Sequence, residues 1–158
     1  MSYQVFESIN ELEETDAGLL KKAIDISAKA YAPYSHFHVG AVARLTSGEF
    51  IHGTNQENAS FPVGICAERV LLASASTMYP DLPIESIAIS YQSDGSKSDH
   101  PIAPCGMCRQ ALSEFEGRMN QPIRLILGGM EGPVYVIPSV SALLPFSFTS
   151  NELTIPPC

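Results

Sequence analysis

The stretch ICAERVLLASAS, residues 65–76, has the apolar spacing and small residues of a helix packed closely against a core, yet it opens with Cys66, Glu68 and Arg69. A core helix has no structural need for a thiol, a carboxylate and a guanidinium in its first turn. One reading is capping, since an acidic residue near a helix N-terminus complements the positive end of the helix dipole. The other is a metal site with its acid–base group built in. Arg69 fits the second reading better, because a basic residue in a first turn is unfavourable without a partner.

The rest of the chain limits what such a site can serve. At 158 residues, 45% hydrophobic and 16% charged, the chain is sized and composed for one folded domain spanning 1–158. A formal net charge of −8 repels phosphate backbones, so the expected partner is a small molecule and not a nucleic acid. The first residues, MSYQVFESINELEET, lack the basic and apolar segments of a secretory signal, and no apolar run is long enough to span a membrane. The expectation is a cytoplasmic protein, not membrane-bound, with Cys66, Cys105, Cys108 and Cys158 reduced. Cys158, in the tail IPPC, reads as an uncommitted thiol.

Working outward from residues 65–76, apolar residues Leu12, Leu19, Leu20, Ala23, Ile24 and Ala30 recur at helical spacing across 8–31. Pro33 then disfavours helix at Ala32. FHVGAVARL (37–45) and EFIHGTN (49–55) read as strands joined by a turn. IESIAISYQ (84–92) is a third strand, and PCGMCRQALSEFE (104–116) starts a helix at Pro104 or Cys105. IRLIL (123–127) and PVYVI (133–137) complete five strands, with a helical turn or two in SVSALLP (139–145). The order α-β-β-α-β-α-β-β predicts an α/β fold, a three-layer α-β-α arrangement around a mixed five-stranded sheet. Strands covered on both faces account for the unbroken runs of Ile, Val and Leu.

Cys105 and Cys108 form C-x-x-C on a first helical turn, which puts both sulfurs on one face. Alone the motif is open: a redox pair, half of a structural zinc site, or two core thiols. A redox pair belongs in an N-terminal βαβ unit, whereas this motif lies two-thirds along the chain. A structural zinc site takes four protein ligands, and neither a second C-x-x-C nor an H-x-x-x-H is present. Cys66, Cys105 and Cys108 together leave a fourth position open, as catalytic zinc requires. With Cys66 at the first turn, Glu68 can reach a water on the metal and move its protons. Three thiolates and Zn2+ sum to −1, and Arg69 can draw off charge by hydrogen bonding to the sulfurs.

Four segments, CAER (66–69), PCGMCRQ (104–110), NQENAS (55–60) and YAPYSHFHVGA (31–41), resemble cytidine deaminases of the small, homotetrameric, three-cysteine type, and LLPFSFTSNEL (143–153) resembles their tail. The likeness runs in order from about Leu19 to Leu153. It implies one zinc per chain on Cys66, Cys105 and Cys108, with Glu68 as proton shuttle and water attacking C4 of cytosine as ammonia leaves. It further implies that Phe37 lies beside the nucleoside, Asn55 and Glu57 bond a ribose hydroxyl, the Ala67 backbone faces the base edge, and Phe148 reaches a neighbouring subunit's site. On that basis the expected activity is conversion of cytidine and deoxycytidine to uridine and deoxyuridine in pyrimidine salvage, by a homotetramer with shared sites.

Two departures bear on the pocket rim: FPVG (61–64) stands where the family commonly has a tyrosine and no proline, and the stretch through YPDLP (79–83) and SDGSKSDHP (93–101) is longer than usual. They keep open a deaminase of a modified cytosine nucleoside, such as blasticidin S or an N4-substituted cytidine. A zinc-stabilised nucleoside-binding protein without turnover is a further alternative, but a binder has no use for Glu68. Phe37 and Phe148 also read as plain core residues, Asn55 as a turn former and Glu57 as a solvated charge.

Overall fold

The structure, a computed structural model, describes residues 2–153; Cys158 lies outside them. Strands β1 (Gln4–Phe6), β2 (Phe37–Leu45), β3 (Phe50–Thr54), β4 (Ile84–Ser93), β5 (Arg124–Gly128) and β6 (Val134–Ile137) form one sheet in the order β1-β6-β5-β4-β2-β3. β4 and β5 run parallel, and the other neighbours are antiparallel. The sheet has six strands where the sequence predicted five. The addition is β1, which pairs with the outer edge of β6.

Side chains alternate between two apolar layers, as the pleat requires. Val42, Ala88 and Ile126 face α1 (Glu14–Ser27), where they meet Leu19, Leu20 and Ala23. Their neighbours Ala41, Ala43, Ile87, Ile89, Leu125 and Leu127 face α2 (Ala67–Met78) and α3 (Gly106–Met119), meeting Leu71, Ala75, Leu112 and Phe115. Both faces are buried, which is why the central strands read as apolar runs.

The first helix is shorter than the 8–31 expected from periodicity. Ser8 caps a separate 3-10 turn (Ile9–Glu11), Leu12 is extended (ψ 155°), and the α-helix begins only at Glu14. The other elements fall where the sequence placed them, including the helix beginning at residue 67 with Cys66 as its N-cap and the one beginning at 106 with Cys105 as its N-cap. Glu116 holds the far end of α3 to the sheet, accepting hydrogen bonds from Ile123 N–H (2.7 Å), Val140 N–H (3.2 Å), Ser141 N–H (3.3 Å) and Ser139 Oγ (2.7 Å).

The seat of α2 depends on a missing side chain. A Cβ at Gly53 of β3 would lie 2.3 Å from the Ala67 carbonyl oxygen and 2.6 Å from the Leu71 nitrogen. Only glycine lets the first turns of α2 lie this close to the strand. Gly53→Ala should therefore lower stability by about 1–3 kcal/mol and weaken metal retention at the adjacent Cys66. Denaturant unfolding with metal analysis checks both, and an unchanged midpoint would show that α2 has room to shift.

Candidate metal and active site

The N-termini of α2 and α3 converge at one end of the sheet. Cys66 and Cys105, each with extended backbone at an N-cap, present their sulfurs 3.9 Å apart. Cys108, one turn into α3, brings a third sulfur 3.4 Å from Cys105. All three lie within 4.8 Å of one another. A tetrahedral zinc site with Zn–S bonds of about 2.3 Å puts its sulfurs about 3.8 Å apart, so the spacing fits the ion. Three ligands leave one position for water or substrate.

The electrostatics agree. The neighbouring Cys108 thiol helps lower the Cys66 pKa to about 6, and Arg69 adds a coulombic pull in the same direction. Cys108 moves upward, through its proximity to Cys66 and through burial. Three crowded sulfurs cannot all ionise without a cation among them. Both helix dipoles direct their positive ends at the cluster.

Glu68 is 5% exposed, and burial raises its pKa, while the nearby Cys108 thiol acts the other way. The carboxyl is buried beside the three thiols and makes no salt bridge among the described residues. Arg69 is half-buried. Among the described residues its guanidinium makes no hydrogen bond to a thiol, so its influence on Cys66 is coulombic, where the sequence reading expected direct bonds. Ala67 is fully buried against Gly53.

Just beyond β3, Asn55 grips the start of β2 and Glu57 the segment leading into it. Asn55 Oδ1 accepts from Val39 N–H (2.7 Å), and its Nδ2 donates to the Phe37 carbonyl (2.9 Å). Glu57 accepts from the N–H groups of Tyr34 (2.9 Å) and Ser35 (3.2 Å) and from the Ser35 hydroxyl. The Ser35 bond is the main reason its pKa falls, which keeps it ionised. A cavity of about 360 Å³ opens beside it, lined by Tyr34, Ser35, Glu57, Asn58, Phe61 and Gly64. Phe37 is half-buried, its ring stacked on Tyr91 at 5.0 Å.

Phe148 lies elsewhere. It is 58% exposed and lines a groove beside the later turns of α3, away from the cysteines at that helix's start. Gln110 Nε2 donates to its carbonyl (2.9 Å). Gln110 and Arg109 belong to the PCGMCRQ motif, whose spacing gives them no chemical role. Arg109 Nε donates to the Pro104 carbonyl (2.8 Å) and its Nη1 to that of Leu143 (3.3 Å), tying the loop before Cys105 to the C-terminal segment. Sequence spacing cannot reveal such bonds, because both acceptors are backbone oxygens.

With this geometry in view, similarity to known proteins settles the family. Residues 13–120 match the family described as the cytidine and deoxycytidylate deaminase zinc-binding region. The chain belongs to that family. It is 37% identical over 135 residues to a cytidine deaminase of Halalkalibacterium halodurans, covering 85% of this chain and 95% of that one. It resembles the crystal structure of cytidine deaminase from Burkholderia pseudomallei with a TM-score of 0.73 at 37% identity, covering 87% of this chain and all of that one. A blasticidin-S deaminase of Bacillus cereus is 29% identical over 142 residues, 89% of this chain and 96% of its own length.

Zinc content tests the cluster. The protein should carry about one zinc per chain, and Cys66→Ser, Cys105→Ser and Cys108→Ser should each lose most of it. Elemental analysis after gel filtration gives the answer; zinc retained in all three variants would place the ion elsewhere.

Proposed function

We propose that this protein is a zinc-dependent hydrolase that converts cytidine and deoxycytidine to uridine and deoxyuridine with release of ammonia, in pyrimidine salvage. The observation that carries this reading is the buried Glu68 carboxyl set beside three thiols spaced for a metal with one open position. Zinc, when bound, supplies a Lewis acid that makes water nucleophilic near neutral pH. Glu68 moves the protons: its carboxylate takes one from the attacking water as the C4–O bond forms, and returns it to the amino nitrogen as the C4–N bond breaks and ammonia leaves. Arg69 and the two helix N-termini offset the negative charge of the thiolates. The backbone at Ala67 lies along the base edge.

In this reading Phe37 packs on the nucleoside and Glu57 receives a ribose hydroxyl. An ionised carboxylate has about four acceptor sites, and Tyr34 and Ser35 use three of those on Glu57. Asn55, whose amide is engaged with β2, acts on the sugar with its remaining N–H and by fixing Phe37. The need for three reduced thiols suits the cytosol.

Changing Glu68→Gln should keep zinc and fold while lowering kcat by roughly 10²–10⁴-fold. Near-normal turnover would assign the shuttle to another group. A panel of cytidine, deoxycytidine, cytosine and blasticidin S, followed by ultraviolet absorbance, tests the substrate. Cytidine and deoxycytidine should lead and free cytosine should lag, because it leaves Glu57 without its partner. A lead for blasticidin S would favour the second reading, which the Bacillus cereus relative and the altered 61–64 rim both support.

We further propose a homotetramer with composite sites. Phe146 and Phe148 are exposed in the C-terminal segment and Phe61 and Val63 near the Glu57 cavity, apolar side chains that a neighbouring subunit would cover. Phe148 then supplies an aromatic wall to a neighbour. Phe148→Ala should raise KM with zinc content unchanged, and dilution that splits the assembly should lower activity per chain. Sedimentation with parallel assays decides it; a fully active monomer would rule the shared site out.

A further inference from the structure

The loop SDGSKSDHP (93–101) has a specific seat in the fold. Its Ser98 carbonyl accepts from the N–H groups of Met130 (2.7 Å) and Glu131 (3.2 Å) in the β5–β6 turn. A Cβ at Gly129 would lie 2.3 Å from that same carbonyl oxygen, so the turn and the loop meet backbone to backbone. Both ends of the loop then bear on the start of β2. At one end Asp94 N–H donates to the His36 carbonyl (3.3 Å), and the Asp94 carboxylate pairs with His36 Nδ1 (3.5 Å).

At the other end His100 meets Tyr91, a β4 residue only 2% exposed, with the Tyr91 hydroxyl 3.3 and 3.4 Å from the two ring nitrogens. His100 Nδ1 also lies 3.1 Å from Asp99 Oδ1. With Nδ1–H donating to that carboxylate, Nε2 is left as the acceptor for the tyrosine. The Tyr91 ring in turn stacks under Phe37, 5.0 Å between centroids and 22° from parallel. A buried tyrosine could satisfy its hydroxyl in many ways. Here the partner comes from the 93–101 loop, and the ring it steadies is the one proposed to touch the nucleoside.

We propose that Tyr91 and His100 are positioning residues that set substrate affinity by fixing the Phe37 ring, with Asp99 orienting His100. The inference rests on the assignment of Phe37 to the nucleoside pocket made above. It predicts an effect on binding and not on proton transfer, since neither residue belongs to the thiol cluster.

The test is steady-state kinetics on cytidine for Tyr91→Phe, His100→Ala, His100→Gln and the Tyr91→Phe/His100→Ala double variant, with zinc content, thermal midpoint and calorimetric uridine affinity measured in parallel. Tyr91→Phe and His100→Ala should each raise KM about three- to tenfold, the range set by one lost hydrogen bond, with kcat within about twofold of the parent. Uridine affinity should weaken in proportion. The double variant should be no worse than either single one, because both remove the same bond. His100→Gln, which keeps an acceptor, should restore most of the affinity. Unmoved KM values in an active parent would overturn this inference alone, as would KM and kcat changing together with a lowered thermal midpoint, the mark of a merely structural role. A parent inert toward cytidine but active on another panel member would overturn the cytidine assignment, and the same comparison on that compound would still decide the roles of Tyr91 and His100. A parent inert toward every compound would overturn both.

Discussion

Cys66, Cys105 and Cys108 hold their sulfurs within 4.8 Å of one another, and three thiolates at that distance repel one another unless a cation lies among them. Much of the fold serves that unfavourable arrangement. Cys66 and Cys105 are 39 residues apart and meet because two helices start at the same end of the sheet. Gly53 lets one helix lie close enough, and Glu116 pins the far end of the other. Arg109 fixes the loop that delivers Cys105. Each of these residues acts at a distance from the metal, and none would be recognised as part of the site from its chemistry alone.

The same arrangement explains why burial of Glu68 is tolerated. An ionised carboxyl in the interior is costly unless paired, and its raised pKa expresses that cost. A group that changes its protonation readily suits proton transfer better than one locked in an ion pair, as Asp16 is with Arg124. The contrast separates a carboxylate that supports the fold from one available for chemistry.

The sequence made the site's skeleton legible because its chemistry is local. A cysteine at each of two helix starts, a glutamate two positions on and a C-x-x-C spacing are visible without any tertiary information. The central strands were equally plain, since doubly buried strands are apolar throughout. β1 was not, because three residues at a sheet edge carry no periodicity to detect. The break at Leu12 was hidden by apolar spacing that continues through it. Asn55 read as a sugar ligand or a turn former, and neither reading showed that its amide also bridges the backbone of Phe37 and Val39. Interactions with backbone atoms leave no pattern in side-chain identity. The contact of His100 with Tyr91 was missed for a related reason: an irregular loop has no period from which its endpoint can be placed.

β1 has a consequence for how the molecule meets copies of itself. The outer side of β6 would otherwise present unpaired amides and carbonyls, an invitation to fibril-like growth through main-chain pairing. Gln4–Phe6 occupies those groups and substitutes its own short edge, too brief to template a long ladder. Self-recognition on that flank is thereby left to side chains, whose shape and charge discriminate where a bare strand edge accepts any extended peptide.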